Sequence, residues 1–276
     1  MASLIPSESA HWYKADGTPC HSVEKKAGGM RPTNLSDARK LNLFPSVTSV
    51  LSIIRSHTLE SWIQTQLVEA ALTLPQQEGE SLDKFARRVV EDSKTKSKEA
   101  TGFGSKVHNV LESFMRGEEV SDPEVDEFAE PTIEWLRENI LDVDIVEEVL
   151  VNHREGYAGT VDLVAEVKGV GKAVIDYKTQ TIRNGRPNFY PKFPLQLAAY
   201  AECVQKPYTP PLELVSVVID SKKPSKPHVK VWNRNEADYY QLFQGLMNVW
   251  KYEKGYAPLN TQPAVEDYSA ALPAGF

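Results

Sequence analysis

Two carboxylates and one amine could form a cation-dependent site within one short stretch of the chain. They are Asp162, in the sequence GTVDLV, and Asp176 and Lys178, in the sequence VIDYKT. A glycine turn, Lys168–Gly171, separates two runs of strand-forming residues, which predicts an antiparallel hairpin. Asp162 and Asp176 are equally far from Gly169, so we expect them about opposite each other. The period of two along a strand places Lys178 on the same face as Asp176.

The predicted proximity of these carboxylates has a chemical consequence. Directly opposed Cβ atoms in a hairpin lie about 4.5–5.5 Å apart, and two negative charges at that separation destabilise a sheet. A divalent cation between them removes the repulsion, and oxygen ligands suit Mg²⁺ or Mn²⁺. We therefore expect Asp162, Asp176 and the backbone carbonyl of Tyr177 to bind such an ion, with Lys178 beside it. The alternative is a solvated ion pair, which is common for Asp-x-Lys sequences.

Two helical patterns place further polar side chains near the predicted hairpin. The sequence Gly104-Ser105-Lys106-Val107-His108 precedes it, and Gln196 and Tyr200 follow it. Gln196 and Tyr200 are four residues apart, so they share one face of a helix. Each pattern also has a purely structural interpretation, because a lone helical histidine is usually structural and the other two residues could be polar residues at the edge of a core.

In order along the chain, these four patterns resemble the motifs of the PD-(D/E)XK nuclease superfamily, specifically its RecB-type exonuclease branch. That branch includes the mitochondrial genome maintenance exonucleases and many phage nucleases. The resemblance covers roughly residues 100–205 and departs from the family name at Val161, which stands where a proline is expected. It implies an α+β fold, with a restriction-endonuclease-like core of a mixed central sheet flanked by helices and an added N-terminal helical region.

The resemblance also implies a function. It implies a metal-dependent DNA exonuclease that hydrolyses phosphodiester bonds from free ends, with a preference for single-stranded DNA or overhangs, in recombination or repair. The alternatives are a structure- or site-directed DNA endonuclease on the same core and a catalytically silent DNA-binding module. One or two Mg²⁺ or Mn²⁺ ions would be the cofactor.

The same resemblance assigns roles to individual residues. The catalytic set would be His108, Asp162, Asp176 and Lys178, and the metal ligands would be His108, Asp162, Asp176 and Tyr177. Gln196 and Tyr200 would organise the site and contact DNA. Apart from the resemblance, Glu112, one helical turn after His108, and Glu148 on the preceding strand are further acids that could approach the site, although only one of Glu148 and its neighbour Glu147 can point inward.

The net charge of −7 is unfavourable for a nucleic-acid partner, but it is unevenly distributed. Residues 118–148 contain 13 acids and only one base, Arg137, so this segment carries −12 and the remainder carries +5. Phosphate contacts need a cationic surface, so we expect the acidic segment to face away from DNA.

The loop after Lys178 has the opposite composition. It contains no acid and three bases, which we expect to contact DNA: Arg183, Arg186 and Lys192. Phe189 and Tyr190 in the same loop are candidates either for stacking on bases or for packing the loop onto the sheet.

Composition excludes several other classes of protein. The chain has 276 residues, of which 41% are hydrophobic and 25% charged, as in ordinary globular proteins. The only cysteines, Cys20 and Cys203, are too few for a disulfide framework or for a four-cysteine iron–sulfur cluster. Neither a signal or transit peptide nor a membrane span is predicted, and the few cysteines fit a reducing compartment, so we expect a cytoplasmic protein. The family resemblance implies that the compartment is that of a bacterial or phage-infected cell.

Periodicity and capping signals predict the order of the elements. Residues 1–45 are expected to be irregular or weakly stranded, and Gly102 and Gly104 to interrupt helix formation before Ser105. The predicted helices are 46–55, 58–74 (capped by Thr58), 81–98, 105–115, 122–136, 193–204 and 235–254, and the predicted strands are 144–153, 157–168, 172–179, 213–220 and 228–232. In the second helix, Trp62 is expected to be a core residue.

This order predicts one mixed sheet with flanking helices. The predicted organisation is an N-terminal extension and helical region at 1–100, a core at 101–258 and a loose tail at 259–276.

Overall fold

The structure is a computed structural model that describes residues 11–54, 57–204 and 211–259, including side chains except those of 57–59. The helices are α1 (Leu35–Leu41), α2 (Val47–Leu51), α3 (His57–Thr73), α4 (Leu82–Ser93), α5 (Thr95–Met115), α6 (Asp126–Asn139), α7 (Lys192–Cys203) and α8 (Tyr239–Lys254). The strands are β1 (Trp12–Tyr13), β2 (Ser22–Glu24), β3 (Met30–Pro32), β4 (Phe44–Pro45), β5 (Ile140–Asn152), β6 (Tyr157–Val167), β7 (Gly171–Gln180), β8 (Glu213–Asp220) and β9 (His228–Val231).

A five-stranded mixed sheet forms the centre of the molecule, in the order β5-β6-β7-β8-β9. The β7–β8 pair is parallel and its connection contains α7, whereas the other neighbouring strands are antiparallel. The α+β class and the predicted order of helix, three strands, helix, two strands and helix are confirmed. No helix in the described ranges is long and apolar enough to cross a membrane.

Both faces of the sheet are covered, and successive residues of the central strands go to opposite sides. Val174 and Leu214 belong to a core shared with α2, α7 and α8, whereas Ile175 and Val215 belong to a core shared with α5 and α6. All four side chains are fully buried, and burial of each stabilises the fold by roughly 1.5–3 kcal/mol. The sheet is therefore held rigidly from both sides.

The N-terminal segment is more ordered than its composition predicts. Strand β1 pairs with β4, Ser46 forms a parallel bridge with Ala158 of β6, and Trp12 packs against Trp250. Helix α1, which the sequence did not predict, begins with a capping box in which Asn34 and Asp37 exchange side-chain hydrogen bonds. The expectation of an irregular or weakly stranded segment up to residue 45 is thus confirmed for the short strands β1 to β4 and was wrong for helix α1.

Two helix boundaries before the sheet also differ from prediction. The helix that starts after the Ser81 cap ends at Ser93, and a new helix begins at Thr95. That helix continues through Gly102 and Gly104, so the predicted interruption was wrong. An isolated glycine costs a helix only about 1 kcal/mol relative to alanine, and α5 packs on both α6 and β7.

The predicted starts of three other helices were misplaced. Helix α3 begins at His57, so Thr58 lies inside it, and α8 begins at Tyr239 after an Asp238 cap. Helix α6 begins at Asp126, because Asp122 instead accepts hydrogen bonds within the preceding turn. The predicted loose tail, beyond Leu259, lies outside the described residues.

Helix α3 leaves much of its apolar surface in contact with solvent. Trp62 is 38% exposed, Ile63 50% and Leu72 81%. The prediction that Trp62 is a core residue was wrong, because α3 packs mainly on α4 and not on the central sheet.

Candidate active site

The site lies where strands β6 and β7 separate. Their pairs run from Val167 with Gly171 to Leu163 with Ile175, which is the predicted register. Asp162 and Asp176 would form the next pair, but the ladder stops before them. Instead, the Tyr177 N–H donates to Asp162 Oδ2 at 2.7 Å. A side chain thus replaces the main-chain partner at the end of the ladder and holds Asp162 against β7.

The alternation of side chains between the two faces of the sheet is irregular at Asp162 of β6. Val161 belongs to the core on the α7 side, whereas Leu163 belongs to the core on the α5 and α6 side. Residues two apart normally share a face, so the alternation of β6 is broken at Asp162. Glu147, which lies across from it on β5, has a φ of 46°. That left-handed conformation is uncommon outside glycine and typically costs 1–3 kcal/mol.

Asp176 is almost completely buried, being 2% exposed. The Lys178 Nζ lies 2.6 Å from its Oδ1, while Oδ2 is buried with no hydrogen-bond partner among the described residues. Burial raises the pKa of Asp176, and the charge of Asp162 adds to this effect, although Lys178 opposes it. The carboxylate is therefore short of positive charge even with the lysine in contact.

Helix α5 brings His108 to the same place. Its Nδ1 lies 3.7 Å from Asp162 Oδ2, and its ring contacts the Tyr177 ring edge-on at 5.8 Å. One turn earlier, a Cβ at Gly104 would lie only 2.9 Å from Thr179 Oγ1. The glycine thus permits the close approach of α5 to the end of β7 that positions His108.

Glu147 is the acid from β5 that faces this site. Burial raises its pKa from 4.5 to about 7, with further contributions from Asp162 and Glu112. Arg116 opposes the shift, and it pairs with Glu112 at 2.9 Å. Glu148 was the acid expected to approach the site, and its neighbour of opposite parity, Glu147, lies there instead. Glu148 lines a different cleft, together with Asp16 and Cys203 from distant segments of the chain.

Gln196 and Tyr200 form one hydrogen-bonded unit on α7, as their spacing predicts. The Gln196 Nε2 donates to the Tyr200 hydroxyl at 3.2 Å, and both side chains are buried. A Cβ at Gly159 would lie 2.9 Å from the Tyr200 ring. Burial, with smaller contributions from the charges of Asp176 and Asp162, raises the pKa of Tyr200.

Two clefts meet at Thr179, which lines both. The first has a volume of about 660 Å³ and contains Lys178, Lys192 and Gln196. The second, of about 640 Å³, contains His108 and Glu147. Helix α3 borders each of them, through Glu60 and Ile63 in the first and Trp62 in the second. Among the described residues, the acidic helix α6 lines neither cleft, but Glu147, at the end of the acidic segment 118–148, lines the second.

The basic loop after β7 divides between the cleft and the surface. Lys192 lines the first cleft together with Lys178, and burial and the charge of Lys178 lower its pKa. Arg183 and Arg186 are exposed and do not line either cleft. Tyr190 lines the first cleft, whereas Phe189 packs against Trp232 with ring centroids 6.3 Å apart.

The donor atoms at the hairpin fit a hard divalent ion. Nowhere in the described ranges do three His, Cys, Asp or Glu side chains converge as a ready-made metal cluster. However, Asp176 Oδ2 is a buried acceptor without a partner, and Asp162 and His108 are adjacent. The Tyr177 carbonyl faces the same side as its N–H, towards the gap between β6 and β7. Carboxylate, carbonyl and imidazole are ligands that Mn²⁺ accepts, and Mg²⁺ uses the oxygens.

Comparison with known proteins does not add a family to this geometry. No family model matches the chain, and no curated protein matches it either. The chemistry of the site therefore has to be inferred from its own residues.

Proposed function

We propose that the protein is a divalent-metal-dependent DNA exonuclease that hydrolyses phosphodiester bonds from free ends, with a preference for single-stranded DNA or overhangs. The observation that carries this proposal is the contact of Lys178 with a buried Asp176, next to Asp162 and His108, at the open end of the hairpin. The resemblance to RecB-type exonucleases in the PD-(D/E)XK superfamily rests on these same residues.

The residues have separable roles in this proposal. His108, Asp162, Asp176 and the Tyr177 carbonyl would hold Mg²⁺ or Mn²⁺, which when bound stabilises negative charge on the phosphate and lowers the pKa of water. Lys178, which lines the first cleft, orients the attacking water through its ammonium group. Glu147, whose pKa is about 7, can hold a proton near neutral pH.

The first cleft supplies the positive charge that a phosphodiester needs. Lys178 and Lys192 repel each other there, and a phosphate between them relieves that repulsion. Helix α3 borders this cleft and the one containing His108, which favours a substrate that enters by its end. A narrow strand fits beneath such a helix more readily than a closed duplex does.

A gel assay on end-labelled linear DNA and covalently closed circular DNA tests the proposal. With Mg²⁺ or Mn²⁺, we expect linear DNA to be degraded and closed circles to survive. Lys178→Ala should reduce the rate by about 100-fold or more, because positioned proton-transfer and charge-stabilising groups contribute factors of about 10²–10⁴. Lys168→Ala, an exposed lysine at the turn of the same hairpin, is the matched control and should keep full activity.

Each other result has a defined meaning. Rapid nicking of closed circles identifies an endonuclease on the same core. DNA binding without cleavage under either ion identifies a catalytically silent binding module. Full activity of Lys178→Ala removes the proposed mechanism.

A further inference from the structure

A strongly basic surface extends from the cleft along the edge of the sheet. Residues 178–192 and 221–230 together contain eight Lys and Arg residues and no Asp or Glu. Lys178 and Lys192 line the first cleft. The exposed remainder, which we term the distal basic surface, consists of Arg183, Arg186, Lys222, Lys223 and Lys226.

A tight turn holds two of these charges opposite each other. Asn184 and Gly185 have φ angles of 54° and 67°, and Arg183 and Arg186 are paired across them as an isolated bridge. Asn-Gly is a favoured sequence for such turns. Like charges directly opposite each other are destabilising, and neither arginine has an acidic partner in the described parts of the chain. An anion bound between them would remove this cost.

Hydrogen bonds attach the other basic turn to the same strand end. The Ser221 N–H donates to the Gln180 carbonyl at 2.9 Å, and the Gln180 side chain makes two hydrogen bonds of 3.0 Å to the Asn188 backbone. Asp220, the nearest acid in sequence, accepts from the backbone N–H groups of Ile182 and Lys222. Gln180 thus fixes both basic turns beside β7.

Basic residues elsewhere near the site are already neutralised. Lys96 lies 3.0 Å from Glu69, Lys98 contacts Glu91, and Lys106 lies 2.5 Å from Glu124. The distal basic surface has no such ion pairs within the described residues. It is therefore the cationic surface near the site that remains available for phosphate groups.

We propose that the distal basic surface is a second DNA-contact site, which holds the strand after it leaves the cleft. This inference rests on the proposed function and adds an affinity that depends on the length of the DNA. Lys178 and Lys222 are each two residues from the paired residues Gln180 and Asp220, on parallel strands. Four residues of extended chain span about 13 Å, so a strand bound at Lys178 has to continue beyond the cleft to reach Lys222.

Binding to two oligothymidylates tests the proposal, one of about 4 and one of about 30 nucleotides. Fluorescence anisotropy in EDTA measures binding without cleavage, over a range of salt concentrations. Lys222→Glu with Lys223→Glu should weaken binding of the long oligonucleotide by about tenfold or more. The loss of two contacts should reduce the salt dependence by about 1.4 in the log–log slope. Binding of the short oligonucleotide and its cleavage with Mn²⁺ should not change.

The chain contains a matched control for this charge reversal. Lys25 and Lys26 are also adjacent exposed lysines in a turn, between β2 and β3, so Lys25→Glu with Lys26→Glu changes the net charge equally. Arg183→Gln with Arg186→Gln tests the other basic turn independently. Equal weakening of both oligonucleotides, or an equal loss in the Lys25/Lys26 control, overturns the proposal. A wild-type protein that binds by length but never cleaves overturns only the proposed function.

Discussion

At the scale of single residues, the site combines an excess of negative charge with one close lysine. Asp162 and Asp176 both raise the pKa of Glu147, and Asp162 also raises that of Asp176. Glu147 in turn raises the pKa of the neighbouring Tyr177. Lys178 compensates only one oxygen of Asp176, and the other is buried without a partner in the described structure. Such an arrangement is costly for stability, and the proposed cation would offset that cost by lying between the carboxylates.

Trp62 gives a prediction at this scale, because it is a large aromatic residue in the cleft of His108 and Glu147. Trp62→Ala should weaken the binding of single-stranded DNA by about 1–3 kcal/mol, since loss of base stacking on an aromatic side chain has about this effect. Fluorescence anisotropy in EDTA measures the change. Leu72→Ala, on the same helix but 81% exposed, is the control and should bind as the wild type does. Unchanged binding by Trp62→Ala would exclude a stacking role.

At the scale of elements, the position of His108 depends on how closely α5 approaches β7. Gly104→Ala would place a methyl group 2.9 Å from Thr179 Oγ1, so the helix or the strand end has to move. We expect cleavage to fall by about 10- to 100-fold, because displacement of about 1 Å near a reacting group can have such an effect. Rates on linear DNA, together with thermal unfolding, measure the two consequences separately.

Gly102 is the natural control for this substitution. It lies in the same helix, and a Cβ there would have no atom within 4 Å among the described residues. Gly102→Ala should therefore stabilise the protein by about 0.5–1 kcal/mol and leave the cleavage rate unchanged. If both alanine variants keep full activity, the close contact of α5 does not position the site.

The hairpin and its register could be predicted because local chemistry determines them. The glycines of the turn after Val167 set the register, and the alternation of side chains set the faces. The continuity of α5 could not be predicted, because its two glycines are stabilised by packing between distant segments. Glu147 was also beyond sequence reasoning, since a left-handed glutamate has no signal in the sequence and parity alone could not separate it from Glu148.

The exposure of Trp62 shows the same limit. Helical spacing predicts which residues share a face, but it does not show what that face contacts. Helix α3 has few contacts with the central sheet, so its apolar face borders the clefts instead. Whether an apolar residue of α3 is buried in the core or lines a cleft therefore depends on packing between segments that are distant in sequence.

At the scale of the whole molecule, the uneven charge separates two surfaces. The acids of α6 lie on the side of the sheet covered by α5 and α6, and the bases of the loop after β7 extend from the first cleft. A negative total charge reduces non-specific attraction to nucleic acid, while the cationic edge retains it locally. Binding is therefore expected at this edge.

The buried carboxylates also affect the stability of the whole protein as pH changes. The fold raises the pKa of Glu147 from 4.5 to about 7 and raises that of Asp176. Between these pH values the folded chain binds more protons than the unfolded chain, so the free energy of unfolding falls as pH rises. This loss in the free energy of unfolding is absent below about pH 4.5 and is complete above about pH 7.

Glu147→Gln should remove most of this pH dependence. At about pH 8 in EDTA, we expect the variant to be more stable than the wild type by about 1–2 kcal/mol, a value reduced because Glu147 is partly exposed. Near pH 4.5 the two proteins should be about equally stable. Urea denaturation across this range measures the difference, with the exposed neighbour Glu148→Gln as a control that keeps the wild-type slope. Parallel curves for wild type and Glu147→Gln would mean that Glu147 is not held beside Asp162 in the folded protein.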